Sequence, residues 1–280
     1  MNVLTPSDIR LRIVPVESLQ LHEEDDPYRV KRLMSAFNRD GKLKNPIIVA
    51  EQPGPGNTYV VLDGATRTSA LREMGIRCAL VQIVDYSSDR VELKVWNHIV
   101  VGFPSHRLLG NLGELKELTV LRTETDLAQE KLAQREVIAC LSFRNGQNYA
   151  VSCEGDIHCQ ADQLCNLVSI YRGKAEVHRT AFVELQTLIE EYPDLTAIVS
   201  FPPFTPSEIM QIAFNGHKVP MGITRHLILG RALGLAAPLE ILNDENSLDD
   251  KNNWLETQIR QRLRTNKIRL YQEPVFIFDD

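Results

Sequence analysis

The stretch VVLDGATRTSALREMG, residues 60–75, constrains the fold of this chain more than any other. An apolar run from Tyr59 to Leu62 meets a sharp turn at Asp63-Gly64. Ala70, Leu71 and Met74 then share one face of a predicted helix that starts near Ala65 and ends at Gly75. A glycine turn between strand and helix leaves the first-turn N–H groups, here those of Ala65 to Arg67, without intrahelical partners, and the helix dipole adds positive potential. Thr66 contributes a hydroxyl and Arg67 a fork of donors that matches phosphate oxygens. Asp63, at the carboxyl end of the strand, is placed to hold a Mg²⁺ riding on bound phosphates. The same residues also suit a plain strand-turn-helix, with Asp63 as N-cap and Arg67 in water.

Upstream, Ile13–Val16 reads as a first strand, followed by the acidic run His22-Glu23-Glu24-Asp25-Asp26 and Pro27. Asp26 as N-cap with Pro27 in the first turn opens a helix, and Val30, Leu33, Met34 and Phe37 supply its core stripe up to Gly41. Glu24, Asp25 and Asp26 can simply favour that helix N-terminus. Glu23 lies ahead of the cap and is the acid least explained by it. Pro46 to Ala50 is a buried strand preceded by Lys44, a cation available to phosphates. QPGPGN at 52–57 is a hairpin loop, and Ala79 to Val84 is a further strand. Trp96, beside His98 in ELKVWNH, serves either as a pocket wall or as packing.

Gly102-Phe103-Pro104 marks a boundary, which divides the chain into 1–105 and 106–280. In the second part, the 108–121, 159–171, 180–192 and 249–263 stretches carry helical spacing. A hairpin turns at Asn145-Gly146, and Thr205-Pro206-Ser207-Glu208 opens another helix. Thr224-Arg225-His226 follows a Pro-x-Gly turn and groups a hydroxyl, a guanidinium and an imidazole. That set suits a carboxylate or phosphate, or equally a helix cap with a surface Arg. An apolar helix is expected to follow through Leu235, and a closing strand from Arg269 to Phe278. Arg260, Arg262, Arg264, Lys267 and Arg269 form a basic run, read as a solvated face.

With 43% hydrophobic residues among 280, the chain can build a core, and its net charge of -6 argues against a nucleic-acid binder that works by overall charge. No apolar run approaches the roughly 20 residues of a membrane span, and residues 1–12 show no signal pattern, so a cytoplasmic protein is expected. The five cysteines are read as reduced thiols; the six-residue spacing of Cys153, Cys159 and Cys165 is wider than that of usual zinc pairs.

DGATRTSALREMG resembles the Asp-Gly-x-His-Arg box of the ParB/sulfiredoxin superfamily, and LKNPIIVA resembles the buried strand before it. IVPVESLQLHE, VLDGATR, VWNH and VPMGITRH, in that order, are similar to ParB-like free L-serine kinases, including those found with siderophore biosynthesis genes. The resemblance implies an α+β chain: a ParB/sulfiredoxin-like N-terminal domain with a small mixed sheet and flanking helices, then a mostly helical C-terminal domain that completes the substrate pocket. It implies transfer of a phosphoryl group from ATP, or ADP in some relatives, with Mg²⁺, to the hydroxyl of L-serine. Glu23 then matches the carboxylate that takes the hydroxyl proton. Asp63 matches the box aspartate near phosphates and metal, with Gly64, Ala65, Thr66 and Arg67 as the phosphate turn and Lys44 beside it. Trp96, His98, Thr224, Arg225 and His226 match positions around the amino acid. Thr66 replaces the histidine of the family box, so a hydrogen bond is kept but a charge is not. Sulfiredoxin activity is excluded, because Ala65 stands where that enzyme needs a reactive cysteine. The alternative is a nucleotide- or ligand-responsive DNA-binding regulator with a helix-turn-helix and a basic face. Small-molecule partners are expected, and monomer and homodimer both remain open.

Overall fold

The structure, a computed structural model of the chain, describes residues 9–52, 54 and 56–270. It is a mixed α/β protein in two compact units. The first takes the residues up to Leu19, Asp25–Val91 and those from Ile228 onward; the second takes Gln20–Glu24 and Glu92–Leu227. The expected single break near residue 105 thus gives way to units assembled from separate stretches of chain. Strand pairing between distant segments decides this, and local composition cannot reveal it.

In the first unit, β1 (Arg10–Pro15) pairs antiparallel with β4 (Cys78–Val84). β4 runs parallel to β2 (Ile47–Glu51), which pairs antiparallel with β3 (Tyr59–Asp63). Ile47 to Ala50, Tyr59 to Leu62 and Ala79 to Val81 are all buried, as expected for strands covered on both faces. Helix α1 (Pro27–Asp40) begins at Asp26, whose carboxylate accepts from the Tyr28 and Arg29 amides at 2.9 and 3.4 Å, and ends at Gly41 with φ 64°. These starts and stops match the sequence reading, because caps and glycine signals are local. The rest of the acidic run does not serve that helix end: Asp25 accepts from the Ser69 hydroxyl, and Glu24 forms an ion pair with Arg172 in the second unit's own chain.

The second unit departs from the mostly helical expectation. Its centre is a six-stranded sheet of β5 (Asn97–Val101), β6 (Leu118–Thr123), β7 (Ala139–Phe143), β8 (Asn148–Cys153), β9 (Glu176–Thr180) and β10 (Leu195–Ser200). The order is β9-β5-β10-β7-β8-β6, antiparallel throughout. The β7–β8 hairpin around Asn145-Gly146 is as read, with Gly146 at φ 80°. The 108–121 stretch splits into a helix, Ser105–Glu114, and β6. The 180–192 stretch yields only Leu185–Glu191 after β9. The second is a helix of the expected kind with a later start; the first fails because short apolar runs satisfy helical and strand periods alike, and pairing partners far along the chain settle the choice. Helix Pro206–Phe214 begins where expected, with Pro206 in its first turn, and Thr205 and Glu208 close it with a full capping box.

Two further expectations fail or fall outside. Thr224–Ile228 is a strand, β11, and no helix follows through Leu235. Gly230 and Gly234 have φ of 75° and 73° and Ala236 has φ 54°, values that a right-handed helix excludes. The closing strand from Arg269 to Phe278 lies mostly outside the described residues. The 249–263 helix is present as Leu248–Arg264. No helix among the described residues is long and apolar enough to cross a membrane.

Candidate functional site

The Asp63 turn is a cradle with two guanidinium groups behind it. β3 ends at Asp63, and the β2–β3 register shifts between Ile48 and Val49, opposite that end. A bulge there re-aims the strand's last side chain. Gly64, at φ 116°, is the N-cap of α2 (Ala65–Glu73), and no side chain caps this helix. Asp63 is therefore not the N-cap, and the first-turn amides remain available to an anion. Nor does Arg67 point to water. Its side chain is only 20% exposed, it reaches Asp63 at 3.3 Å, and its Nη1 donates to the Asn45 and Pro46 carbonyls at 3.1 and 2.5 Å. Burial lowers its pKa to about 10, so it stays charged at neutral pH. A Cβ on Gly64 would sit 3.0 Å from the Arg67 guanidinium, so the turn requires glycine twice over.

Arg231 is the residue that sequence reasoning missed. It pairs with Asp63 and, with Arg67, Lys44 and Asn45, lines a pocket of about 280 Å³. Its signal was hidden because GRALG was read as part of an apolar helix. Lys44 lines the same pocket but is largely exposed and pairs with Asp40 at 3.4 Å.

The Glu23 region belongs to the second unit and is assembled from distant segments. Glu23 and Val219 form an isolated parallel bridge. The Val219 amide donates to the His22 carbonyl at 2.8 Å, and the Glu24 amide donates to the Val219 carbonyl at 2.9 Å. The Glu23 carboxylate accepts from the Gly222 amide at 3.1 Å. Gly222 has φ 78°, and a Cβ there would collide with the Arg179 guanidinium. His22, 1% exposed, meets the Thr224 hydroxyl at 2.9 Å and the His226 ring edge-on at 5.3 Å. Burial, and secondarily His22, lower the His226 pKa to about 3, so this imidazole is neutral. The Arg225 guanidinium lies 4.1 Å over the half-buried Trp96 ring, a cation–π contact that fixes both. Thr224-Arg225-His226 thus projects from a strand, not from a helix cap.

His98 is placed differently from its expected role at the amino acid. It is 3% exposed, meets the Tyr171 hydroxyl at 2.9 Å and packs edge-on against Phe201. Burial first, and Arg179 next, lower its pKa to about 4. It also hydrogen-bonds the Gly222 backbone, which places it against the turn that holds Glu23.

No cluster of three or more His, Cys, Asp or Glu side chains suited to a metal exists among the described residues, and the five cysteines are free. A metal held by protein ligands alone does not fit. A Mg²⁺ held mainly by phosphates and one carboxylate does, because it keeps waters and needs few protein ligands. In the basic run, Arg260 pairs with Glu256, and Arg262 donates to the Gly234 and Leu235 carbonyls, so part of that run acts within the chain.

No family model matches the chain. It is 26% identical to the ATP-dependent L-serine kinase SbnI of Staphylococcus aureus over 272 residues, 96% of this chain and 97% of that one. Over 90 residues, 32% of this chain and 35% of the relative, it is 37% identical to an ATP-dependent L-serine kinase of Staphylothermus marinus. Among solved structures, a C-terminally truncated SbnI from Staphylococcus aureus covers 90% of this chain, with 97% of that chain matched, at TM-score 0.70 and 23% identity. A free serine kinase in complex with AMP covers 83%, with 93% of that chain matched, at TM-score 0.69 and 20% identity. The likeness read from the Asp-Gly box is met at the level of sequence and fold.

Proposed function

We propose that this protein is a free L-serine kinase that transfers a phosphoryl group from ATP, with Mg²⁺, to give O-phospho-L-serine. The observation that carries the proposal is the similarity to an ATP-dependent L-serine kinase along nearly the whole of both chains. The cradle chemistry supports it. Phosphoryl transfer needs positioning and neutralisation of charge more than covalent help. Gly64 to Arg67 offer first-turn amides, the Thr66 hydroxyl and a buried guanidinium, and Arg231 adds a second. Asp63 would share a Mg²⁺ with the phosphates, and the metal would supply charge neutralisation there.

Glu23 takes the proton of the serine hydroxyl as the nucleophile attacks. An acceptor-only carboxylate oriented by the Gly222 amide suits that task. Thr224, Arg225, His226 and Trp96 serve the amino acid, with Arg225 matched to its carboxylate and the neutral His226 available as a hydrogen-bond partner. His98 acts through Tyr171 and the residues above it. The setting is the cytoplasm, where ATP is available and thiols stay reduced. The product serves a specialised pathway of the siderophore or diaminopropionate kind.

The test is a phosphoryl-transfer assay with purified protein, Mg²⁺ and free L-serine, run in parallel with ATP and ADP and read by mass spectrometry. Phosphoserine formed from ATP and lost in Glu23→Gln is the expected result. No product with either donor, from protein that still binds nucleotide, would overturn the reading.

A further inference from the structure

A second cavity, in the first unit, shares only Arg231 with the residues assigned above to the phosphates and the amino acid. It measures about 1060 Å³, at the upper limit of the roughly 300–1,000 Å³ typical of small-molecule sites. Its wall is formed by Leu11, Leu80, Leu235, Trp254, Leu255 and Ile259, from β1, β4, the 230–238 strap and the Leu248–Arg264 helix. Leu80 and Leu255 are buried, whereas Leu233, Ile268 and Leu270 in the same lining are large apolar side chains left exposed. A contiguous apolar patch of this kind marks a binding surface more often than scattered apolar residues do.

The charges around it are one-sided. Among the described residues that line it, Arg231, Arg262, Lys267 and Arg269 are charged and none is an aspartate or glutamate, although the chain as a whole carries a net charge of -6. The strap is held by hydrogen bonds to the rest of the unit. Gln82 Nε2 donates to the Gly230 carbonyl at 2.9 Å, and the Ala232 amide donates to Gln82 Oε1 at 2.8 Å. The Gly234 amide donates to Asn45 Oδ1 at 2.8 Å, and Arg262 donates to the Leu235 carbonyl at 2.8 Å. Such a preformed wall lowers the ordering cost of binding.

We propose that this cavity binds a small anionic amphiphile, one acidic group on an extended apolar body, and that the ligand weakens nucleotide binding through Arg231. The apolar wall takes the body and the cations take the acid. Arg231 lines this cavity and also the smaller pocket with Arg67, and it pairs with Asp63. An acid that engages Arg231 here removes a cation from the cradle. This second part rests on the phosphate role proposed for that cradle.

Decanoate is the probe, titrated calorimetrically into the full chain, with decanol and decylamine as neutral and cationic controls. Decanoate should bind one to one and at least about tenfold more tightly than either control. Gln258→Trp, at a half-buried lining position on the closing helix, should weaken decanoate by about tenfold without lowering the melting temperature. Equal binding of decanoate and decanol, or undiminished binding in Gln258→Trp, would overturn the site. Binding that appears only after deletion of residues 271–280 would assign the cavity to the chain's own C-terminus and overturn it too. Saturating decanoate should raise the ATP dissociation constant about threefold in the parent protein and leave it unchanged in Arg231→Gln. Decanoate binding with no change in ATP affinity would overturn the coupling while leaving the kinase reading intact, since calorimetry does not depend on turnover.

Discussion

The Asp63 cradle and the Glu23 region are both built around a glycine with positive φ beside a guanidinium, yet they are stabilised over very different distances in the chain. In the cradle, Asp63, Gly64 and Arg67 are near neighbours, and Arg67 is fixed by carbonyls about twenty residues upstream. Around Glu23, the decisive bonds join residues roughly two hundred apart, Gly222 to Glu23 and His22 to Thr224. The first arrangement comes mainly with a strand-turn-helix, only Arg231 joining it from the distant strap. The second exists only once the second unit has brought 22–24, 96–98 and 217–226 together. A local motif therefore carries most of the proposed anion chemistry, and long-range packing carries the orientation of the proposed base.

Variants can break this contrast. The largest effect is expected from Glu23→Gln, which removes the proposed proton acceptor but keeps an oxygen for the Gly222 amide. kcat should fall by about 10³-fold, within the usual range for loss of a general base, while the ATP dissociation constant stays within about twofold of the parent. A comparable loss of ATP binding would show that Glu23 is not confined to the acceptor side.

The two glycines form a matched pair. Gly64→Ala places a Cβ against Arg67 at a backbone conformation that costs of order 1–3 kcal/mol, so ATP affinity should drop about tenfold in calorimetry. Gly222→Ala drives the chain against Arg179 and shifts the Glu23 amide partner. It should lower kcat about tenfold and leave ATP affinity unchanged. If the two variants give the same pattern, the division of labour between the regions fails. Arg231→Gln should raise KM for ATP by about fivefold with a smaller change in kcat, because it weakens ground-state phosphate binding.

The smallest effect is in pH. All seven histidines fall within the second unit's segments. His98 and His226 have pKa values lowered to about 4 and about 3 by burial, below the value near 6.5 of an unfolded histidine. Their neutral forms stabilise the fold fully above pH 6.5, and that contribution is lost as pH falls from there toward 4. The melting temperature should therefore drop by a few degrees between pH 7 and 5. Hydrogen exchange should quicken in 92–227 peptides while the 59–73 peptides hold their protection. Equal quickening in both would remove the distinction.

The difference between the regions also explains what could be read in advance. Asp26, Gly41, Gly64, Asn145-Gly146 and Thr205-Glu208 act through caps and turns, whose partners lie within a few residues. Each was found where the sequence put it. Most of β6 reads as helix in the sequence because an apolar alternation of six residues has no period of its own until a neighbour pairs with it. Arg231 was missed because Gly230, Gly234 and Ala236 turn the 229–236 stretch into a strap, and the partners that hold it, Gln82 and Asn45, lie about 150 residues or more away.

The sequence by itself determined the strand-turn-helix with its first-turn amides and Arg67, the helix starts and stops, and the order of segments that carries the likeness to serine kinases. These depend on φ preferences, capping hydrogen bonds and hydrophobic period, all of which act within a turn or two of chain. Only the tertiary structure decided that Arg231 joins Asp63, that His98 is buried against Tyr171 and Phe201, that the second unit is built on a sheet, and that the strap forms part of the wall of a cation-rimmed apolar cavity. Those outcomes depend on burial and on pairing between remote segments, whose energies are set by the neighbours and not by the residues alone.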